Sequence, residues 1–194
     1  MRLTVIIFLT CVFACQNPNE TINESTQGTA QESSIFQNVT LNTNAPAETA
    51  QIGQLIGLWN CVSKDLVDSV WYENKALWKW EYTLGGHAVL NHWWQEDNSL
   101  NAPTLEYFAN GIFIFNKDAK SWEAVILNSR PHKISPKFQL DYVDKEIRMH
   151  DGRGTWLVSF FNIAKDAFDW KYEIKKADGT WGKISEISAV RKVE

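Results

Sequence analysis

Cysteine is nearly absent from this chain. Three of its 194 residues are Cys, at positions 11, 15 and 61. Cys11 lies in an apolar leader and Cys15 directly follows it, so Cys61 is the only thiol of the folded part. One thiol cannot close an internal disulfide, which excludes a disulfide scaffold. Cys61 reads instead as a small buried hydrophobe. Histidine is almost as scarce, at four residues. His87 and His92 are five apart, so on one strand they face opposite sides and cannot share an ion. His132 stands beside Pro131, and His150 precedes a turn. No His, Cys or carboxylate spacing suits a metal, and no metal or other cofactor is expected. Catalytic signatures are missing too. There is no Gly-x-Ser-x-Gly, no Gly-rich phosphate loop and no known motif around the lone Cys, so no catalytic residue is assigned. A basic patch is also lacking. From residue 51 onward, 18 basic residues face 19 acidic ones, which argues against a nucleic-acid partner.

Residues 16–50 contain no Lys, Arg, Asp, Tyr or Trp. They are rich in Asn, Thr, Gln, Ser and Glu. Such a segment buries too little apolar surface to offset its ordering entropy, and it reads as a flexible linker. Ahead of it stand Met1-Arg2 and an apolar run from Leu3 to Ala14. That run is too short to span a bilayer core of about 30 Å as a helix. A charged start, a short apolar run and a small residue at its end make a secretory signal. The run closes on Val12-Phe13-Ala14-Cys15. This resembles a bacterial lipobox, which implies lipid attachment at Cys15 and membrane tethering. Phe13 departs from the smaller residue usual there, and plain cleavage after Ala14 fits the same residues. Gln16 in place of Asp is similar to sequences sorted to the outer membrane. The expected division is a signal peptide at 1–14, a lipid-anchored linker at 15–50 and one folded domain at 51–194, all in the bacterial cell envelope.

What the domain does have is aromatics. All ten Trp and 22 of the 25 aromatic residues lie after position 50. They fall at period two, the spacing of a strand with one buried face. Phe168, Trp170, Tyr172 and Ile174 alternate with Asp169, Lys171, Glu173 and Lys175. Trp78, Trp80 and Tyr82 alternate in the same way with Lys79 and Glu81. Turn signals recur at Gly85-Gly86, 116–120, Asp144-Lys145, 151–154, Lys165-Asp166 and Asp178-Gly179. About nine or ten antiparallel strands follow: 57–63, 76–84, 87–95, 111–116, 121–128, 137–142, 146–150, 155–163 and two beyond. Closing them into a barrel removes the exposed edges.

The first strand opens Gly57-Leu58-Trp59, and the last carries Arg191. This pair resembles the closed end of lipocalins and related calycin barrels, where a basic residue packs over the Trp of Gly-x-Trp. The resemblance implies that Gly57, Trp59 and Arg191 close the barrel. Phe168-Asp169-Trp170-Lys171-Tyr172-Glu173 with Gly179-Thr180-Trp181 is similar to a phrase of uncharacterised bacterial lipocalin-like domains. It implies an all-β, up-and-down barrel and no settled activity. Haem barrels of the nitrobindin type also open with Gly-x-Trp, but they hold iron through a late His, and no His follows His150.

The function expected is binding of a small hydrophobic or amphipathic ligand. The candidate lining is Trp78, Trp80, Tyr82, Trp93, Phe168, Trp170 and Tyr172, with Asn91, Asn128 and Ser159 as polar groups. His92 and Glu186 are further polar candidates. A register slip of one residue would reverse each facing. The alternatives are a filled barrel serving as an envelope interaction module, a haem barrel, or an enzyme whose groups gather at the barrel mouth.

Overall fold

The computed structural model describes residues 39–97, 106–129, 133–135 and 137–193. Eleven strands occur among them: β1 (Gly57–Val67), β2 (Val70–Thr83), β3 (Ala88–Gln95), β4 (Tyr107–Asn116), β5 (Ser121–Asn128), β6 (Lys133–Ile134), β7 (Phe138–Val143), β8 (Glu146–His150), β9 (Trp156–Phe161), β10 (Ala167–Lys175) and β11 (Trp181–Arg191). One short helix, α1 (Thr49–Gly53), precedes them. Ten strands form a closed antiparallel ring in the order β1, β2, β3, β4, β5, β7, β8, β9, β10, β11, with β11 returning to β1. The two-residue β6 pairs outside the ring with β5. The fold is the all-β, up-and-down barrel expected.

Closure follows from the alternation. Trp59 pairs with Arg191 on one side and Trp78 on the other, and Trp78 pairs with Trp93. One register therefore turns a row of aromatic rings inward across three strands. The ion pairs Lys79–Glu81 and Lys171–Glu173 stand on the opposite faces of β2 and β10. Near its start, β11 carries one extra residue, Ile184, against β10. This bulge resets its alternation so that Ser185, Ile187 and Ala189 share the inner face.

Three expected boundaries need correction. The first strand runs to Val67, not 63, and β2 begins at Val70, not 76. Asp68 and Ser69 join them with φ of 49° and 68°, a tight hairpin made without glycine. The linker also ends earlier than 50. Asn42 donates its backbone N–H to the Gly86 carbonyl (3.2 Å) and its side-chain amide to the Gly85 carbonyl (3.0 Å). Thr49 and Ile52 are fully buried. The chain from about residue 40 is thus part of the folded body. Cys15 and the rest of 1–38 lie outside the described residues.

Candidate functional site

The two ends of the barrel differ. At one end lie the start of β1, the end of β11 and the turn between β2 and β3. Trp59 sits there at 0 % exposure, its indole N–H donating to the Leu55 carbonyl (2.8 Å). The Arg191 guanidinium stacks 4.1 Å from the Trp59 ring centre. It also donates to the carbonyls of Ile56 (2.8 Å) and Lys165 (2.7 Å). Gly57 has φ of 137°, and a Cβ there would strike the same guanidinium. Gln51 reaches across from α1, accepting a hydrogen bond from the Trp122 indole (3.2 Å). This end is sealed.

Above the seal the barrel is packed with rings. Trp59 meets Phe168 edge-on at 4.8 Å. Trp80 packs against Phe113 (5.4 Å) and Phe160 (5.6 Å). Trp78 touches both Phe160 and Phe168. Large aromatics bury on the order of 150–250 Å² each, so this lower half has no room for anything else.

The upper half is not filled. A cavity of about 260 Å³ opens there, walled mainly by carbon. Its floor is Trp78, Phe113 and Phe160. Its sides include Trp93, Ile126, Met149, Val158 and Ile187, with Trp170 and Tyr172 toward the rim. The rim residues Asp65, Tyr107, Tyr172 and Ser185 are partly exposed, whereas the floor is buried, so the cavity opens at this end.

Polar groups in the wall are few and fall into two sets. The first is satisfied. Asn91 accepts from the Gly111 backbone N–H (2.8 Å). The Asp65 carboxylate accepts from Ser185 (2.7 Å) and, at 3.4 Å, from the buried Asn74. The second set has no protein partner: Ser63 Oγ, Gln95 Nε2, Trp78 Nε1 and Trp93 Nε1. Among the described residues no Lys, Arg or His lines the cavity.

Of the ten expected lining residues, Trp78, Asn91, Trp93, Trp170 and Tyr172 line this cavity. The other five do not. Trp80 and Phe168 are floor packing, each 1 % exposed. Tyr82 sits at the sealed end, where its hydroxyl lies against Gly53. Asn128 donates to the Tyr107 hydroxyl (2.8 Å) and so braces a wall residue instead of lining the wall. Ser159 is buried but lies on the outer face of β9, paired with Lys171 and Arg148, while Val158 and Phe160 point in. Two further polar candidates also face outward. His92 bonds Glu81 (2.9 Å) and Asn110 (3.0 Å), and Glu186 pairs with Lys183.

The residues missed are instructive. Ser63, Asp65 and Gln95 follow from stepping by two from Trp59 and Trp93. Ending the first strand at 63 leaves out Asp65, whereas Ser63 and Gln95 lie inside the expected strands.

Titration in this region is set by burial. Burial pushes the Cys61 thiol up to about 12. Burial first, then the charge of Asp151, raises the Tyr172 phenol above its ordinary value. Burial alone would raise Glu81, but hydrogen bonds and charge from Lys79 and His92 hold its carboxyl below the usual range. Among the described residues no three His, Cys, Asp or Glu side chains gather as a metal would require.

No family model and no curated protein matches this chain. Solved structures do resemble it. It is similar to an S-type phycobiliprotein lyase, CPES from Guillardia theta, with a TM-score of 0.53 and 11 % identity over 74 % of this chain and 91 % of the other. It is also similar to Rv2717c from M. tuberculosis, with a TM-score of 0.53 and 9 % identity over 77 % of this chain and all of that one. The shared feature is the closed ten-strand antiparallel barrel, a calycin-like fold.

Proposed function

We propose that this protein is a binding barrel that holds one small hydrophobic or amphipathic molecule, tethered to a membrane of the cell envelope through a lipid on Cys15. The observation that carries the binding reading is the cavity of about 260 Å³ above a fully packed aromatic floor. An apolar, concave, partly enclosed site with a few placed polar groups is the usual form of a small-molecule site. A barrel of this size either fills with side chains or keeps room for one ligand, and this one is filled only in its lower half. One neighbour in fold is a phycobiliprotein lyase, which is consistent with a barrel that handles a small molecule. The leader ending at Cys15 supports tethering.

The binding test uses N-phenyl-1-naphthylamine, a neutral fluorophore, displaced by a lipid extract of the cell envelope. Enhanced fluorescence that the extract reverses, and that Ala109→Phe abolishes by filling the cavity, is expected. No enhancement with a folded protein would overturn the reading. The anchor is tested separately: Cys15→Ser should abolish acyl labelling and release the protein from membranes.

A further inference from the structure

The binding reading leaves open the charge of the ligand, and one side chain of the cavity wall bears on it. Resting on that reading, we propose that the cavity takes an amphipathic organic ammonium, its apolar body on the aromatic floor and its charged head at the mouth against the Asp65 carboxylate.

Asp65 belongs to the inner face of β1. Trp59, Cys61 and Ser63 alternate inward along that strand, and Asp65 is the next step of two. It lines the cavity and is partly exposed, so it stands where the wall meets the mouth. Two hydrogen bonds hold it there: the Ser185 hydroxyl donates at 2.7 Å and the Asn74 amide at 3.4 Å. These neutral donors fix the carboxylate without neutralising it. The lysines nearby are engaged elsewhere, since Lys64 pairs with Glu73 and Lys183 with Glu186 on the outer face. Among the described residues Asp65 forms no ion pair, and it is the only acidic side chain of the lining.

The sign of the ligand's charge follows. A molecule seated in the cavity covers the mouth and takes water away from that carboxylate. A neutral head leaves the charge uncompensated, and an anionic head adds a like charge beside it. An ammonium supplies the countercharge. It can also donate to the carboxylate, which has about four acceptor positions and uses two of them for Ser185 and Asn74. The rings favour the same sign, because indole and phenol faces attract a cation within about 6 Å of the ring centre. Trp93, Trp170, Tyr107 and Tyr172 line the same space as Asp65.

The wall also sets the shape of the molecule. The floor of Trp78, Phe113 and Phe160 is apolar and buried, whereas the carboxylate is at the open end. An engineered apolar cavity of about 150 Å³ holds benzene. The volume of about 260 Å³ here suits a phenyl ring on a short alkyl chain that ends in the amine. With its head at the mouth the ammonium keeps part of its water, so it escapes most of the desolvation that makes deeply buried ion pairs costly.

The test is calorimetric titration at pH 7 with three probes of similar body: 4-phenylbutylamine, 4-phenylbutan-1-ol and 4-phenylbutyrate. The amine is protonated at that pH, as a lysine side chain is. It should bind about tenfold tighter than the alcohol, the effect of a hydrogen bond to a charged group, and the butyrate should bind weakest. Asp65→Asn keeps the size of the side chain and an acceptor for Ser185. It should bring the amine-to-alcohol ratio toward one while the alcohol still binds, with near-ultraviolet dichroism reporting its fold. Equal binding of amine and alcohol by the native protein overturns the charge inference but leaves the binding reading standing. Tightest binding by the butyrate overturns it as well, and so does binding of N-phenyl-1-naphthylamine with none of the three probes. A ratio unchanged in folded Asp65→Asn overturns the assignment to Asp65. Failure of all three probes and of N-phenyl-1-naphthylamine to bind the folded native protein overturns the binding reading itself.

Discussion

Arg191 shows how much one side chain can hold together. Its guanidinium stacks on Trp59 and donates to two carbonyls from different parts of the chain, Ile56 and Lys165. A partly desolvated cation–π contact contributes about 2 kcal/mol, and hydrogen bonds from a charged donor add to it. Arg191→Ala should therefore lower stability by about 3 kcal/mol in urea titration. Lysine at that position should restore only part, because it lacks the planar fork. Cys61 makes the opposite point, since its value lies in being inert. With the thiol held up to about 12, almost no thiolate forms in the folded protein at pH 8, so a thiol reagent should label it only after unfolding. The sign follows for stability. The folded pKa is above the ordinary 9.0, so the contribution is intact below about pH 9 and is lost as pH rises toward about 12. Cys61→Ala should flatten that alkaline decline in a series of melting temperatures.

At the scale of elements, the turns show where residue type and backbone conflict. Asp68-Ser69 and Asp144-Lys145 are two-residue connections in which all four residues have positive φ. Glycine adopts that geometry freely, and other residues do so at a cost. Lys145→Gly should raise the urea midpoint, corresponding to about 0.5–1 kcal/mol, without changing the ring of strands. The Asp144-Lys145 turn was legible because it interrupts an alternating pattern between two clear strands. Asp68-Ser69 was not, because the residues around it, from Lys64 to Asn74, do not alternate between apolar and polar. The inward faces of β2, β3 and β10 were legible for the same reason that they exist: aromatic and charged residues alternate there. Ser159 was misread because it sits between large apolar neighbours, and only the pairing of β9 with β8 and β10 shows which way it points.

For the whole molecule, the seal and the cavity occupy opposite ends of one barrel. Residues from about 40 to α1 cover the sealed end through Asn42, Gln51 and Ile52. Burying an isoleucine side chain stabilises by about 1.5–3 kcal/mol. A chain beginning at Leu55 should thus lose about 3 kcal/mol of stability, since the bonds of Asn42 and Gln51 go with it. Its affinity for N-phenyl-1-naphthylamine should stay unchanged, because no residue of that segment lines the cavity. Calorimetry and fluorescence titration on the same sample would check both.

Period-two alternation, turn spacing, and Gly57-Leu58-Trp59 at one end with Arg191 at the other were enough to specify an antiparallel barrel from sequence alone. These signals are local or terminal, and a closed sheet is the arrangement that leaves no strand edge unpaired. The cavity was a different matter. Whether a barrel is full depends on which rings share a level, and that is fixed by register and tilt between strands far apart in sequence. Trp80 and Phe168 look identical in pattern to Trp78 and Trp170, yet the first pair is buried packing beneath the cavity and the second pair lines it. The scarcity of cysteine that marks the sequence left one buried thiol with no visible role in the site. The tertiary structure alone set the extent of the cavity, because its lining comes from β1 to β5 and β8 to β11, whose levels are fixed only when the ring closes.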